Sequence, residues 1–408
     1  MGKLALVLAG GGSLGSYEVG AIEALEELGY KFDIVTGTSI GALNGAFVCN
    51  KQTKALRKLW EDITPEKVMV NGINISKREY NDSSKIDFLK DFSRWSTTYL
   101  KGRKAGADIT PFKEYVKNAI DVDACYNSDV AFSVVTVKFP SMKRVDVDMK
   151  SLPKEDFLPF LHASSACFPI FPIEKIHKQR FVDGFYRENL PIRLAFNMGA
   201  EKVIAIDMRL FSLEPQHKFY LSCPNVEYIA PYIKLGSLMD FSQDVIRNNM
   251  KLGYLDVMKH YKKYYGYKYT FEPFEVKGFL SFILREYETD SKHIMKLLTE
   301  DVRDKMNETD YFVRTLEIIA DKLDIQDYYR VHTIDSFRQL IEQKMIEKMN
   351  EERIKVVELK ARMANVLTSD KESVLYSFLF SFVREFMSID VDRLLETSYV
   401  GSKKPLLN

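Results

Sequence analysis

Ser39 stands between two glycines in Gly37-Thr38-Ser39-Ile40-Gly41, directly after the apolar stretch Phe32 to Thr36. The pattern G-x-S-x-G behind a strand describes an elbow, where the chain turns abruptly into a helix and leaves a serine hydroxyl exposed. Bulk two residues to either side would clash with the closely passing strand and helix, which accounts for glycine at 37 and 41. The small-residue helix that follows, Ile40 to Val48, points its positive end at the hydroxyl. A serine exposed, fixed and backed by amide donors can attack a carbonyl carbon. The competing reading is a serine that merely caps the helix.

A second glycine string, Ala9 to Gly15 (AGGGSLG), follows the apolar run Leu4 to Ala9. Gly10, Gly11 and Gly12 permit positive φ and let backbone N–H groups point outward. Those groups could cradle a phosphate or stabilise the oxyanion formed when Ser39 attacks. Gly10, Gly12 and Gly15 satisfy G-x-G-x-x-G, but no acidic residue closes the second strand and no Gly-Lys-Ser/Thr is present. Dinucleotide and P-loop readings therefore both fit poorly. An oxyanion donor loop beside a nucleophile is the economical joint interpretation.

Ser39 needs a proton acceptor. The six histidines are scattered, and His162, in FLHASSACFP, reads as a core or surface-satisfied residue. Asp183, in RFVDGFYRENLP, ends a short apolar strand with Gly184 permitting a tight turn immediately after. Aspartate before glycine is also a common turn pair. A carboxylate is a weak base at its reference pKa near ~4, but partial desolvation raises it and a short hydrogen bond to serine would place it correctly.

The elements that must position these residues alternate between buried strands and helices. Leu4 to Ala9, Phe32 to Thr36, Ala131 to Val137, Phe181 to Asp183 and Val203 to Met208 read as strands. Helical patterns run from Tyr17 to Leu28 with Gly29 as the stop, from Ile40, over 52–62, from Pro111 to Ile120, and from Pro191 to Gly199. This predicts an α/β fold with a mostly parallel central sheet. Residues 66–108 read as an insertion or lid, with helix around Ile86 to Phe92 and a basic cluster at 101–106. Beyond about 275 the spacing of Leu316, Ile319, Ala320 and Leu323, and of Phe337, Ile341 and Met345, predicts an all-helical region with joints at Gly278 and near Asp370. The expected division is a catalytic domain over 1–210, a transition over 211–275 and a helical domain over 276–408.

Taken in order, the strings GGGSLG (10–15), GTSIG (37–41), ASSACFP (163–169) and DGF (183–185) resemble the signatures of the patatin-like phospholipase family. NLP at 189–191 and NMGAEKVIAIDM at 197–208 look similar too. The resemblance covers about the first half of the chain. It implies a three-layer patatin-like fold and a lipid acyl hydrolase with a Ser–Asp dyad: Ser39 as nucleophile and Asp183 as proton acceptor. It also implies an oxyanion hole from the N–H groups of Gly11, Gly12 and Ser13, supported by Gly10, Gly15, Gly37, Gly41 and Gly184, with no metal and no cofactor. Two positions depart from the family pattern. Leu14 replaces a frequent arginine or lysine, leaving neutral lipids and simple esters open beside phospholipids. Phe185 replaces a small residue, next to the proposed base.

Composition sets outer limits. Lysine plus arginine number 58 against 57 aspartate plus glutamate, so the strong basic excess of a non-specific nucleic-acid binder is missing and no nucleic-acid partner is expected. The four cysteines form no Cys-x-x-Cys pair and read as buried thiols of a reducing compartment. The run after Lys3 is too short for a secretion signal, and Val374 to Val383 is too short to span a bilayer. The expectation is a cytoplasmic protein that takes a lipid or ester substrate through transient peripheral membrane contact, its oligomeric state open. Two alternatives share these residues: a non-catalytic patatin-fold membrane-associated or scaffold protein, and an acyltransferase that hands the acyl group to a bound alcohol.

Overall fold

A computed structural model describes residues 2–70, 107–209, 219–300, 302, 305–351 and 371–389. The chain divides into two compact units, Met1–His260 and Tyr261–Asn408. The division falls at a single point inside the stretch expected to be a transition, because the helix ending at His260 packs on the first helix of the chain and so belongs to the first unit.

The first unit is built on one sheet. Its strands are β1 (Leu4–Leu8), β2 (Ile34–Thr38), β3 (Ala131–Phe139), β4 (Lys143–Asp148), β5 (Glu174–Ile176), β6 (Gln179–Asp183), β7 (Lys202–Ile206) and β8 (Val226–Ile229), in the order β5-β6-β3-β2-β1-β7-β8, with β4 also paired to β3. The five strands from β3 to β8 run parallel, whereas β4 and β6 pair antiparallel with β3, and β5 with β6. Strands β1, β2 and β7 are buried on both faces, the mark of parallel strands covered by helices on each side. That burial explains the runs of Leu, Val, Ile and Ala in β1 and β7. Strand β2 begins and ends two residues later than its apolar content predicts, since Gly37 and Thr38 stay extended and the whole turn is made at Ser39.

Among the described residues, the helices longer than one turn are α1 (Ser16–Glu27), α2 (Ile40–Cys49), α3 (Thr53–Asp62), α4 (Thr110–Ala119), α5 (Val122–Asn127), α6 (Lys154–Ser164), α7 (Ile192–Asn197) and α8 (Gln243–His260). Helix α2 packs on β1, β2 and β3, α6 on β3, β5 and β6, and α7 on β1, β2 and β7. Helices α1 and α8 approach backbone to backbone. A Cβ on Gly20 would collide with the Met250 carbonyl, and one on Gly253 with the Tyr17 carbonyl. Tyr17 also donates to Asp256 at 2.9 Å, and Lys259 pairs with Asp256 at 2.8 Å within the same buried contact. Of the expected insertion over 66–108, residues 71–106 lie outside the described residues. So do the helix expected near Ile86 and the basic cluster at 101–106.

The described residues of the second unit are mainly helical and include a two-stranded parallel pair, β9 (Thr270–Phe271) with β10 (Val331–His332). Among its described residues the helices are α9 (Phe279–Glu286), α10 (Ser291–Leu298), α11 (Glu308–Lys322), α12 (Ile334–Glu351) and α13 (Lys371–Phe386). Leu316, Ile319, Ala320, Phe337 and Ile341 do face one buried core, joined by an aromatic cluster of Phe279, Phe312, Phe378 and Phe382. Gly278 makes the expected joint with φ 86° before α9, and Asp370 lies outside the described residues. Buried Glu317 accepts the N–H groups of Tyr267, Lys268 and Tyr269 and pairs with Arg314, which satisfies an otherwise costly buried charge. Among the described residues no helix is long and apolar enough to cross a membrane.

Candidate active site at the tips of the central strands

Strand register brings the site together. Leu8 of β1 pairs with Gly37 of β2, so the glycine loop and the serine elbow leave the same end of the sheet side by side. Thr38 pairs with Val135 of β3, and Thr136 of β3 pairs with Asp183 of the antiparallel strand β6. Ser39 and Asp183, 144 residues apart in sequence, therefore flank the middle of β3 at nearly one height, and the Ser39 hydroxyl donates to Asp183 Oδ2 at 2.7 Å.

The elbow is strained and buttressed. Ser39 has φ 56° and ψ −124°, a conformation non-glycine residues hold only when their surroundings impose it. A Cβ on Gly37 would stand 2.5 Å from the Gly41 carbonyl oxygen, and one on Gly41 would stand 2.5 Å from that of Ala9. Glycine at both positions is thus required by close approach of strand and helix. The Ser39 N–H donates to Ser164 Oγ at 2.9 Å, and Ser164 in turn donates to the Val135 carbonyl at 2.7 Å. Thr38 donates to the Glu188 carbonyl at 2.9 Å.

Asp183 is 1% exposed. Burial pushes its carboxyl up to about 7, against the opposing pull of the Phe185 N–H on Oδ1 and the Ser39 hydroxyl on Oδ2. Its own N–H donates to the Ala166 carbonyl at 2.9 Å, so the 163–169 string holds both sides of the pair. His162 is buried edge-on to Phe112, and desolvation, with Lys113 second, lowers its pKa to about 4. Among the described residues no histidine hydrogen-bonds to Ser39 or Asp183.

The glycine loop faces the same place. Gly10, Gly11, Gly12, Ser39 and Asp183 line one open cleft of about 710 Å³, counting the space open to solvent. Asn189 clamps the loop, donating from Nδ2 to the Gly10 carbonyl at 3.1 Å and accepting the Gly10 N–H on its own carbonyl at 3.3 Å. Gly12 takes φ 57°. Ser13, grouped with Gly11 and Gly12 from the sequence, differs from them in one respect. Its N–H donates to the Leu238 carbonyl at 2.8 Å and its hydroxyl to the Ser237 carbonyl at 2.8 Å, so that amide is already committed. Gly15 packs on Ile40, and Gly184 on the Val135 carbonyl.

Behind the loop lies a buried polar network with no counterpart in the sequence reading. Asn44 of α2 donates to the Gly15 carbonyl at 3.0 Å and to Glu18 at 2.8 Å, while Trp60 Nε1 donates to Asn44 at 3.0 Å. Burial raises the Glu18 pKa well above the carboxylate range, with the Asn44 side chain opposing. Leu14 is buried and does not reach the cleft, whereas Phe185 forms part of its lining. The remaining lining is largely apolar, and among the described residues Asp183 is its one charged side chain. Ser164 and Asn189 both lay inside strings noted in the sequence, but nothing there assigned them a partner.

The family model described as patatin-like phospholipase matches residues 6–196. Patatin-like phospholipase domain-containing protein 7 of Mus musculus is 29% identical over 212 residues, covering 50% of this chain and 13% of that protein. Lysophospholipase NTE1 of Mycosarcoma maydis is 27% identical over 207 residues, covering 50% of this chain and 10% of that protein. The chain thus spans a small part of the length of these relatives. Among solved structures, VipD from Legionella pneumophila is 13% identical with a TM-score of 0.40, covering 99% of this chain and 92% of that one. The match over residues 6–196 takes in most of β1, strands β2 to β6 and all four glycine-bearing and serine-bearing strings, so this part of the chain is similar to patatin-like phospholipase domains, and a distinct helical region follows the sheet.

Proposed function

We propose that the first unit hydrolyses carboxylic esters of lipids through a Ser39 acyl-enzyme, with Asp183 as the single general base. The observation that carries this reading is the 2.7 Å hydrogen bond from the Ser39 hydroxyl to Asp183 at the floor of the cleft. The substrate carbonyl oxygen lies against the Gly11 and Gly12 amides; Ser13, whose amide is bonded to Leu238, is left out of the oxyanion donors. Ser39 Oγ attacks the carbonyl carbon as its proton passes to Asp183 Oδ2. The tetrahedral oxyanion collapses, the C–O bond breaks, and the departing alkoxide takes that proton. Water then attacks the acyl-enzyme, gives its proton to Asp183, and collapse returns the proton to Ser39.

Burial of Asp183 supports the assignment, because a base near 7 matches its task far better than an ordinary carboxylate. The apolar lining suits an acyl chain, and the strained elbow keeps the hydroxyl clear of the helix that follows. The test pairs a fluorophosphonate probe with an ester panel of short p-nitrophenyl esters, neutral glycerides and phospholipids. Wild type should be labelled and active, Ser39→Ala unlabelled and inactive, and Asp183→Asn folded but slowed by ~10³-fold or more. An intact rate in either variant defeats the dyad. Product analysis with a competing alcohol separates transfer from hydrolysis.

A further inference from the structure

Residues 237–241 lie beyond the matched domain, yet they close its cleft. Leu238, Met239 and Phe241 form part of the lining, together with residues that include Phe112, Ile170 and Phe171. The same segment braces the glycine loop. It accepts the Ser13 N–H and hydroxyl on two consecutive carbonyls, those of Leu238 and Ser237. Gly12 packs so tightly on the Leu238 carbonyl that a Cβ there would collide with it.

The segment is anchored at both ends as well as in the middle. Asn249 of α8 donates to the Leu235 carbonyl at 3.1 Å, and Gln243 donates to the Ile63 carbonyl at 2.5 Å. Between them, the Asp240 N–H turns back to the Ser237 carbonyl at 3.1 Å, and Asp240 Oδ1 accepts the Ser242 N–H at 3.0 Å. Met239 and Phe241 are each 7% exposed. The wall is therefore a fixed strap, held in constant relation to the amides of Gly11 and Gly12.

We infer that this strap is the acyl-chain selector of the site, with Met239 and Phe241 setting how long a saturated chain it accepts. The inference rests on the ester-hydrolase reading above and deepens it. A carbonyl oxygen seated on the glycine loop leaves its acyl tail running along surface that is rigidly tied to that loop. Chain length is then read by side-chain volume at 239 and 241. Chains that extend past those side chains meet packed atoms, and trimming them opens room for further methylenes.

The experiment measures kcat/KM for p-nitrophenyl esters from four to sixteen carbons with wild type, Met239→Ala, Phe241→Ala and the milder Met239→Val and Phe241→Leu. Burying two more methylenes should raise the long-to-short ratio on the order of tenfold and move the optimum at least two carbons longer. Labelling of Ser39 by a small fluorophosphonate shows that a variant still assembles its site. If the alanine variants are not labelled, the milder pair decides, with a smaller shift in the same direction. A profile that keeps its shape in any labelled variant, or falls by one factor at every length, overturns the strap inference alone. A wild type that is neither labelled nor active on any ester removes the underlying function instead.

Discussion

Replacing Asp183 with asparagine should cost activity and add stability, and the second effect should depend on pH. Asp183 is 1% exposed, and burial lifts its pKa from 3.8 to about 7. Between those values the folded chain holds a proton that the unfolded chain has released, so this group's contribution to stability is full below about 4. It is lost as pH rises toward and past 7. At ~1.36 kcal/mol per unit the loss is on the order of 4 kcal/mol at pH 9. Asparagine keeps the shape, accepts the Phe185 N–H and can donate to Ser39 Oγ, but never pays the desolvation cost of a charge. The assay is denaturant unfolding of the whole chain at pH 5 and pH 9, followed by tryptophan fluorescence. Trp60 is buried in the first unit and residues 261–408 contain no tryptophan, so the second unit adds no signal of its own. Asp183→Asn should exceed wild type by only ~1–2 kcal/mol at pH 5 and by ~4 kcal/mol at pH 9. A gap that stays constant with pH, or a variant weaker at pH 9, would refute the claim that Asp183 is held as a destabilised base.

For the same reason kcat/KM should fall ~tenfold per pH unit below about 7 and level off above it, and an acid limb centred near 4 would sink the base assignment. Glu18 is buried with its pKa raised well above the carboxylate range, so Glu18→Gln should keep kcat within about threefold. Glu18→Ala should lose ~tenfold or more in kcat, since it strips a partner from the Asn44 amide behind the glycine loop; equal rates would deny the network a positioning role. Ser164→Ala leaves the Ser39 N–H without its acceptor and should cost ~1–3 kcal/mol in urea titrations together with slower fluorophosphonate labelling; unchanged labelling would show that the elbow holds itself.

Some of this arrangement was legible because local backbone demands leave local traces. A strand that turns into a helix at one residue needs glycine where the two pass closely, and Gly37 and Gly41 record that need directly. Runs of Leu, Val and Ile in β1 and β7 record burial on both faces. Other features left no such trace. The antiparallel direction of β6 follows from its pairing with β3, and a five-residue strand carries no mark of which way its neighbour runs. Glu18 sits among residues that read as an ordinary helix face, yet its carboxyl is turned onto Asn44 of α2 and is fully buried there. The contribution of Ser237 and Leu238 is made by carbonyl oxygens, which every residue possesses.

The sequence by itself determined the candidate nucleophile and base, the loop of glycines beside them, and the change from an α/β pattern to helices, because each depends on residue type within a short window. Tertiary structure alone decided that Ser39 and Asp183 meet across β3, that Ser13 is committed to the strap while Gly11 and Gly12 face the cleft, and that α8 belongs with α1. Those outcomes depend on strand register and on backbone contacts between segments distant in the chain, where the free energy belongs to the pairing and to neither partner's composition.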